Sequence, residues 1–117
     1  MSNSVVLSPL ENKLEQLVAA TPEAKVKAKI KKILKDNNVY FAMPIGTGYG
    51  SSGVPDFLCC VNGNFLAIEA KAGKGTTTAL QDKNIREIKE CGGMAVVIAE
   101  EQLELGYLEQ LIQLMKQ

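Results

Sequence analysis

The sequence predicts an α/β fold, a mixed β-sheet built on a central hairpin and flanked by helices in the order ααβββαβα. Three observations lead to it. Asn62-Gly63 stands between two apolar runs, and this dipeptide is the strongest short signal for a two-residue hairpin turn. Stretches with apolar residues three and four apart open the chain, close it and separate the later strands, as amphipathic helices do. The strand-like runs are apolar on both faces, which suits a sheet covered by helices.

Ser8-Pro9-Leu10-Glu11 supplies an N-cap, a proline at the first helical position and a capping-box glutamate. Leu10, Leu14, Leu17 and Val18 follow at helical spacing in a short first helix. Thr21-Pro22 starts a longer helix to about Asn37 by the same logic, with Val26, Ile30, Ile33 and Leu34 on one stripe and Lys25, Lys29, Lys31, Lys32 and Lys35 away from it. Val39 to Pro44 reads as a strand. The next nine residues, IGTGYGSSG from Ile45 to Gly53, form a loop whose four glycines permit close backbone approach. Val54 to Val61 and Asn64 to Ala72 are the two hairpin strands, and Lys74 to Thr77 is a polar connection. Thr78 to Glu90 carries Gln81, Ile85 and Ile88 at helical spacing before a Gly92-Gly93 stop. Met94 to Ala99 reads as a buried strand, and Leu103 to Met115 as an apolar-rich closing helix.

A chain of 117 residues, 46% hydrophobic, makes one domain over residues 1–117 with a single core. Its formal net charge is zero and its sequence pI is about 6.3, so a nucleic-acid partner would have to be held by a local patch. No run of about 18 apolar residues occurs, and the opening MSNSVVLSPLENK lacks a basic segment followed by an apolar one; the expected location is cytoplasmic. Cys59, Cys60 and Cys91 are read as reduced apolar filler, since the adjacent pair points to opposite faces of a strand. The chain has no histidine, which removes His-activated nucleophiles, and no CxxC spacing that would suggest zinc. Any metal here is a hard, oxygen-bound one.

A two-residue turn at Asn62-Gly63 pairs Val61 with Asn64 and, by the same register, Asp56 with Glu69. Side chains so opposed have Cβ atoms roughly 4.5–5.5 Å apart, and two carboxylates at that separation destabilise unless something offsets them. Lys71 falls on the same face, about 6.6 Å further along the strand, while Ala70 points away. One face therefore gathers Asp56, Glu69 and Lys71. Two carboxylates with the Ala70 carbonyl as a candidate third ligand suit Mg²⁺ or Mn²⁺, which take oxygen ligands and retain several waters. A metal so held can polarise a phosphoryl oxygen and lower the pKa of a bound water, and Lys71 can orient that water or offset charge on the phosphate. The same three residues also fit a plain surface cluster in which Lys71 neutralises Glu69.

With Pro55-Asp56 as one half and Glu69-Ala70-Lys71 as the other, the run PDFLCCVNGNFLAIEAKAG resembles the PD-(D/E)XK nuclease superfamily. The fuller context is similar to the VRR-NUC family, the virus-type replication-repair nucleases. That context comprises GVPD, an apolar strand, the NG turn, AIEAK, a Gly73-containing loop, Leu80-Gln81, and Gly92-Gly93 before a strand. The resemblance covers about residues 21–99, with the first and last helices flanking that core, and implies a restriction-endonuclease-like fold. It also implies a dimeric, metal-dependent, structure-specific DNA endonuclease acting on branched DNA such as Holliday junctions, in a stand-alone form typical of phages; the same domain also occurs fused to larger repair nucleases. The family's metal-binding aspartate and glutamate fall on Asp56 and Glu69, its lysine on Lys71 and its glutamine on Gln81. The glutamate that the family uses early in its first core helix falls on Glu23, as a further metal ligand.

Read from the residues alone, Glu23 shares a stripe with Val26 and Ile30, and it also suits the favourable helix-dipole position of a first turn. Gln81 shares a face with Ile85 and Ile88, so it can reach the sheet or stand exposed. Tyr49, Ser51, Ser52 and Lys74 are candidate DNA contacts, as is the lysine face of the long helix. Two other readings share the sequence: a DNA-binding or assembly protein without catalysis, and a nuclease of restriction or flap type. The closing helix carries a core stripe at Leu105, Leu108, Leu111, Ile112 and Met115 and a second apolar side at Leu103, Tyr107 and Leu114, which predicts a homodimer.

Overall fold

A computed structural model describes residues 6–18, 21–45 and 52–117 of the chain. The chain runs α1 (Pro9–Val18), α2 (Pro22–Asp36), β1 (Tyr40–Ala42), β2 (Phe57–Val61), β3 (Asn64–Ala70), α3 (Ala79–Glu90), β4 (Met94–Ile98), α4 (Glu100–Glu104) and α5 (Tyr107–Met115). The strands form one four-stranded mixed sheet in the order β1-β2-β3-β4, antiparallel except for β4, which runs parallel to β3. That last pair requires a crossover, and α3 supplies it.

The hairpin register is the one the turn arithmetic demands, with Val61 opposite Asn64 and Phe57 opposite Ile68. Asn62 and Gly63 both hold positive φ, 51° and 83°, as the favoured two-residue hairpin turn requires. Register decides which side chains share a face. Leu66, Ile68 and Ala70 of β3 join Phe57, Cys59 and Val61 of β2 and Ile98 of β4 beneath α2 and α5, whose Val26, Ile30, Leu34, Leu108, Leu111 and Ile112 complete the core. Each large apolar side chain fully removed from water there contributes about 1.5–3 kcal/mol. The opposite face carries Ala67 and Glu69 of β3, both buried, with α3 packed on the β4 side.

Helix ends follow their caps. The Thr21 hydroxyl accepts from the Ala24 amide with Pro22 at the first helical position, and Thr78 with Gln81 forms a reciprocal capping box at the start of α3. Several expectations need correction. The closing helix is broken: α4 ends at Glu104, the chain turns through Gly106 at φ 68°, and α5 begins at Tyr107. As a result Leu105 is exposed and Leu103 packs on the core in its place. The strand from Met94 is buried only at Ala95 and Ile98, because β4 is the sheet's edge. β1 is three residues long, shorter than its apolar run. Leu10 and Leu14 of α1 are exposed and cover no core.

Candidate functional site

The hairpin that sets the register also carries the site at its open end. Asp56 stands immediately before β2 and Glu69 is the penultimate residue of β3, so the two strands deliver both carboxylates to one place. Asp56 reaches across: its Oδ2 accepts a 2.8 Å hydrogen bond from the Ala70 amide. Its Oδ1 lies 3.4 Å from Lys27 Nζ of α2. Lys27 in turn lies 3.8 Å from Glu23 Oε2, one helical turn earlier.

Glu69 is only 3% exposed, which is exceptional for a carboxylic acid in a small domain. Its Oε1 accepts from Gln81 Nε2 at 3.1 Å, and its buried Oε2 has no hydrogen-bond partner among the described residues. Burial pushes the acid up to about 8, and the neighbouring Asp56 carboxylate pushes the same way, with Lys71 opposing and Glu23 adding a smaller rise. Two ionised carboxylates have no donor between them. A proton on Glu69 gives Oε2 one, and a cation in the same place would serve both groups.

Gln81 is held in orientation by the helix that carries it. Its Oε1 accepts from the Thr78 amide at 2.9 Å, so its amino group is left to face Glu69. The start of α3 is itself clamped by the chain entering β2. Gly53 has φ 76° and sits so close that a Cβ there would lie 2.6 Å from the Leu80 carbonyl carbon and 2.8 Å from the Gln81 nitrogen. Asn84 Nδ2 donates to the Ser52 carbonyl at 3.0 Å beside it. Only glycine permits this approach.

Lys71 follows β3 with its amide bonded to the Ile98 carbonyl at 3.0 Å, and Gly73 N–H donates to Glu100 Oε2 at 2.8 Å, which fixes the turn after it. Hydrogen bonds from the Glu100 and Gly73 amides hold the Glu100 carboxyl below its ordinary value. Of the sequence-derived site residues, the structure brings Asp56, Glu69 and Gln81 into one network, with Lys71 two residues along the strand. Glu23 stands at its margin, half-exposed and joined through Lys27. Lys74 is exposed in the following turn and Ser52 is exposed beside Gly53. Tyr49 and Ser51 lie outside the described residues. Lys27 escaped the sequence reading altogether; the available signal was its position four residues after Glu23, the spacing of a helical ion pair.

Among the described residues no group of three or more His, Cys, Asp and Glu side chains is gathered at metal-ligating distance. Asp56 and Glu69 stand as a pair, with the Ala70 carbonyl on the same segment. The cysteines form no disulfide: Cys59 is buried, with its thiol pushed up to about 12 by burial, and Cys60 and Cys91 are exposed. No helix is long and apolar enough to cross a membrane among the described residues. Compared with protein-family models, curated proteins and solved structures, the chain matches none of them.

Proposed function

We propose that this protein is a Mg²⁺- or Mn²⁺-dependent DNA endonuclease of the VRR-NUC kind, with a restriction-endonuclease-like core, acting as a homodimer on branched DNA such as Holliday junctions. The observation that carries the reading is the buried Glu69, which faces Asp56 across the hairpin with one oxygen that has no hydrogen-bond partner among the described residues. Two ionised acids buried side by side repel unless a proton or a cation offsets them. A divalent cation turns that liability into a site, because it offsets both charges and takes the free oxygen. The donor set fits hard cations: carboxylate oxygens of Asp56 and Glu69, the Ala70 carbonyl, and Glu23 from the margin, with water completing the shell.

When bound, the metal supplies Lewis-acid polarisation of the scissile phosphate and an acidified water. This chain's own residues do the rest. Asp56 is oriented by the Ala70 amide and Glu69 by Gln81, so both carboxylates are fixed before substrate arrives. Lys71, on the same face, supplies a positive charge for the attacking water or the phosphate oxygens. Lys74, Ser52 and the exposed lysines of α2 are available to the backbone, with Tyr49 and Ser51 as further contacts. Phosphate affinity spread over such contacts steers without reading sequence.

Cleavage of junction, flap, single-stranded and plasmid DNA is the test. Lys71→Ala and Glu69→Ala are expected to abolish Mg²⁺-dependent cutting while DNA binding remains measurable; retained turnover in both variants would defeat the assignment. The Lys27–Asp56 ion pair favours one second reading, a DNA-binding or assembly protein whose carboxylates are structural. DNA binding with no cutting of any of the four substrates in either metal would support it.

A further inference from the structure

The ion pair that links Lys27 to Asp56 differs from the other pairs among the described residues. Lys32–Asp36, Lys83–Glu87 and Arg86–Glu90 each join neighbours one turn apart on a single helix, and all are well exposed. Lys27 joins α2 to the residue that opens β2. Its side chain is 34% exposed, against 75% for Lys32 in an ordinary helical pair. The ammonium stands 3.4 Å from Asp56 Oδ1 and 3.8 Å from Glu23 Oε2, between the two acids rather than bonded closely to either.

Asp56 Oδ2 is already committed to the Ala70 amide, so Oδ1 is the oxygen left to ligate a cation. Lys27 stands on that oxygen. It also faces Glu23, the acid that the nuclease reading places at the margin of the metal site. Without some positive charge here, Asp56, Glu69 and Glu23 would repel one another inside a folded domain, and Lys27 is the cation that α2 supplies.

We propose that Lys27 is the built-in counter-ion of the metal site, its ammonium holding the Asp56 oxygen that a divalent cation shared with Glu69 would take and giving way to it, so that Lys27 sets how tightly the metal binds. The proposal rests on the metal-dependent reading above. Its consequence runs against intuition: removal of a conspicuous basic residue strengthens cation binding. A single charge this close to the ligands, partly screened by solvent, is expected to change the affinity about tenfold.

Calorimetric titration of the full chain with Mn²⁺ alone, without DNA, tests it. Lys27→Met, which keeps the length and removes the charge, is expected to bind Mn²⁺ about tenfold more tightly than the unmodified protein, whereas Lys27→Arg, which keeps the charge, stays within about threefold of it. Lys27→Gln serves as a second neutral variant should the methionine fail to fold, with the same tightening expected. Unchanged or weaker binding in the neutral variants, with the unmodified protein binding Mn²⁺, overturns the role of Lys27 alone. If neither the unmodified protein nor the neutral variants bind Mn²⁺, the metal-dependent reading falls and this inference with it.

Discussion

At the scale of single residues, Glu69 is where protonation and folding meet. Inside the fold it titrates at about 8 instead of near 4.5, chiefly because it is desolvated and secondarily because Asp56 is beside it. Between those two values the metal-free folded chain holds a proton that the unfolded chain has already released. The stabilisation is complete below 4.5 and is lost as pH climbs through 8. In chelator the melting temperature is therefore expected to fall between about pH 5 and pH 9. Glu69→Gln copies the protonated acid: its carbonyl can still accept from Gln81 and its amino group can donate to Asp56. Thermal melts of this variant are expected to show a flatter pH profile and a higher melting temperature than the unmodified protein at pH 9; a lower one would mean that the ionised carboxylate itself stabilises the fold. Asp56→Asn is a less clean probe, since it relieves the same repulsion but gives up the ion pair with Lys27. The facing carboxylates were legible in the sequence because the Asn62-Gly63 turn fixes the register over its short strands. Lys27 was not, since it lies beside the apolar stripe of a lysine-rich helix, and no periodicity tells which lysine bends back to a strand.

At the scale of elements, the site depends on the close approach of the loop before β2 to the first turn of α3. Gly53→Ala puts a Cβ against backbone at 2.6 Å and adds a positive-φ penalty, and backbone cannot rotate away as a side chain can. The start of α3 must shift, and Gln81 moves with it. The substitution is expected to cost about 2 kcal/mol or more in denaturant unfolding and to impair the site beyond that loss of stability. An unfolding midpoint equal to the unmodified protein's would show that the clamp is slack. Thr78→Ala acts on the same helix more mildly, at about 1 kcal/mol for a lost N-cap. Here too legibility was uneven. The Thr21 cap announced its helix because capping is local chemistry. The break at Gly106 did not, because the leucines at 103, 105, 108 and 111 keep an apolar rhythm through it. The exposed half of β4 was hidden for another reason: Met94 and Val97 read as buried strand residues, and only the sheet order makes them edge positions.

At the scale of the whole molecule, apolar surface remains after the core is complete. Leu105 and Leu114 are 68% and 65% exposed, and Tyr107 stands beside them on the closing helices. Leu10 and Leu14 of α1 are exposed as well, and across the sheet Tyr40, Cys60 and Phe65 form one exposed row through their strand pairing. Surfaces of this kind are commonly covered by a partner. The expected outcome in light scattering at micromolar concentration is twice the 12.6 kDa mass of the chain. Leu105→Glu combined with Leu114→Glu is expected to shift that mass toward the monomer with the helical circular dichroism preserved. A monomer mass for the unmodified protein would exclude the homodimer.

The tight turn at Asn62-Gly63 also has a consequence in time. A hairpin this local closes in about 1–10 μs, whereas β4 can join the sheet only after α3 has formed and carried the chain across. Asp56 and Glu69 therefore meet early, while the growing core is still shutting water away from them. At neutral pH and without metal, the cost of either protonating Glu69 or opposing two charges then falls on the ascent to the folding barrier rather than on the finished fold alone. Refolding in chelator is accordingly expected to be faster at pH 5 than at pH 8, with unfolding rates differing less; stopped-flow rates show which limb moves. Equal refolding rates would place the meeting of the two acids after the barrier. In the reading favoured here, the acid pair that binds the catalytic metal also sets how quickly the metal-free chain can reach its native state.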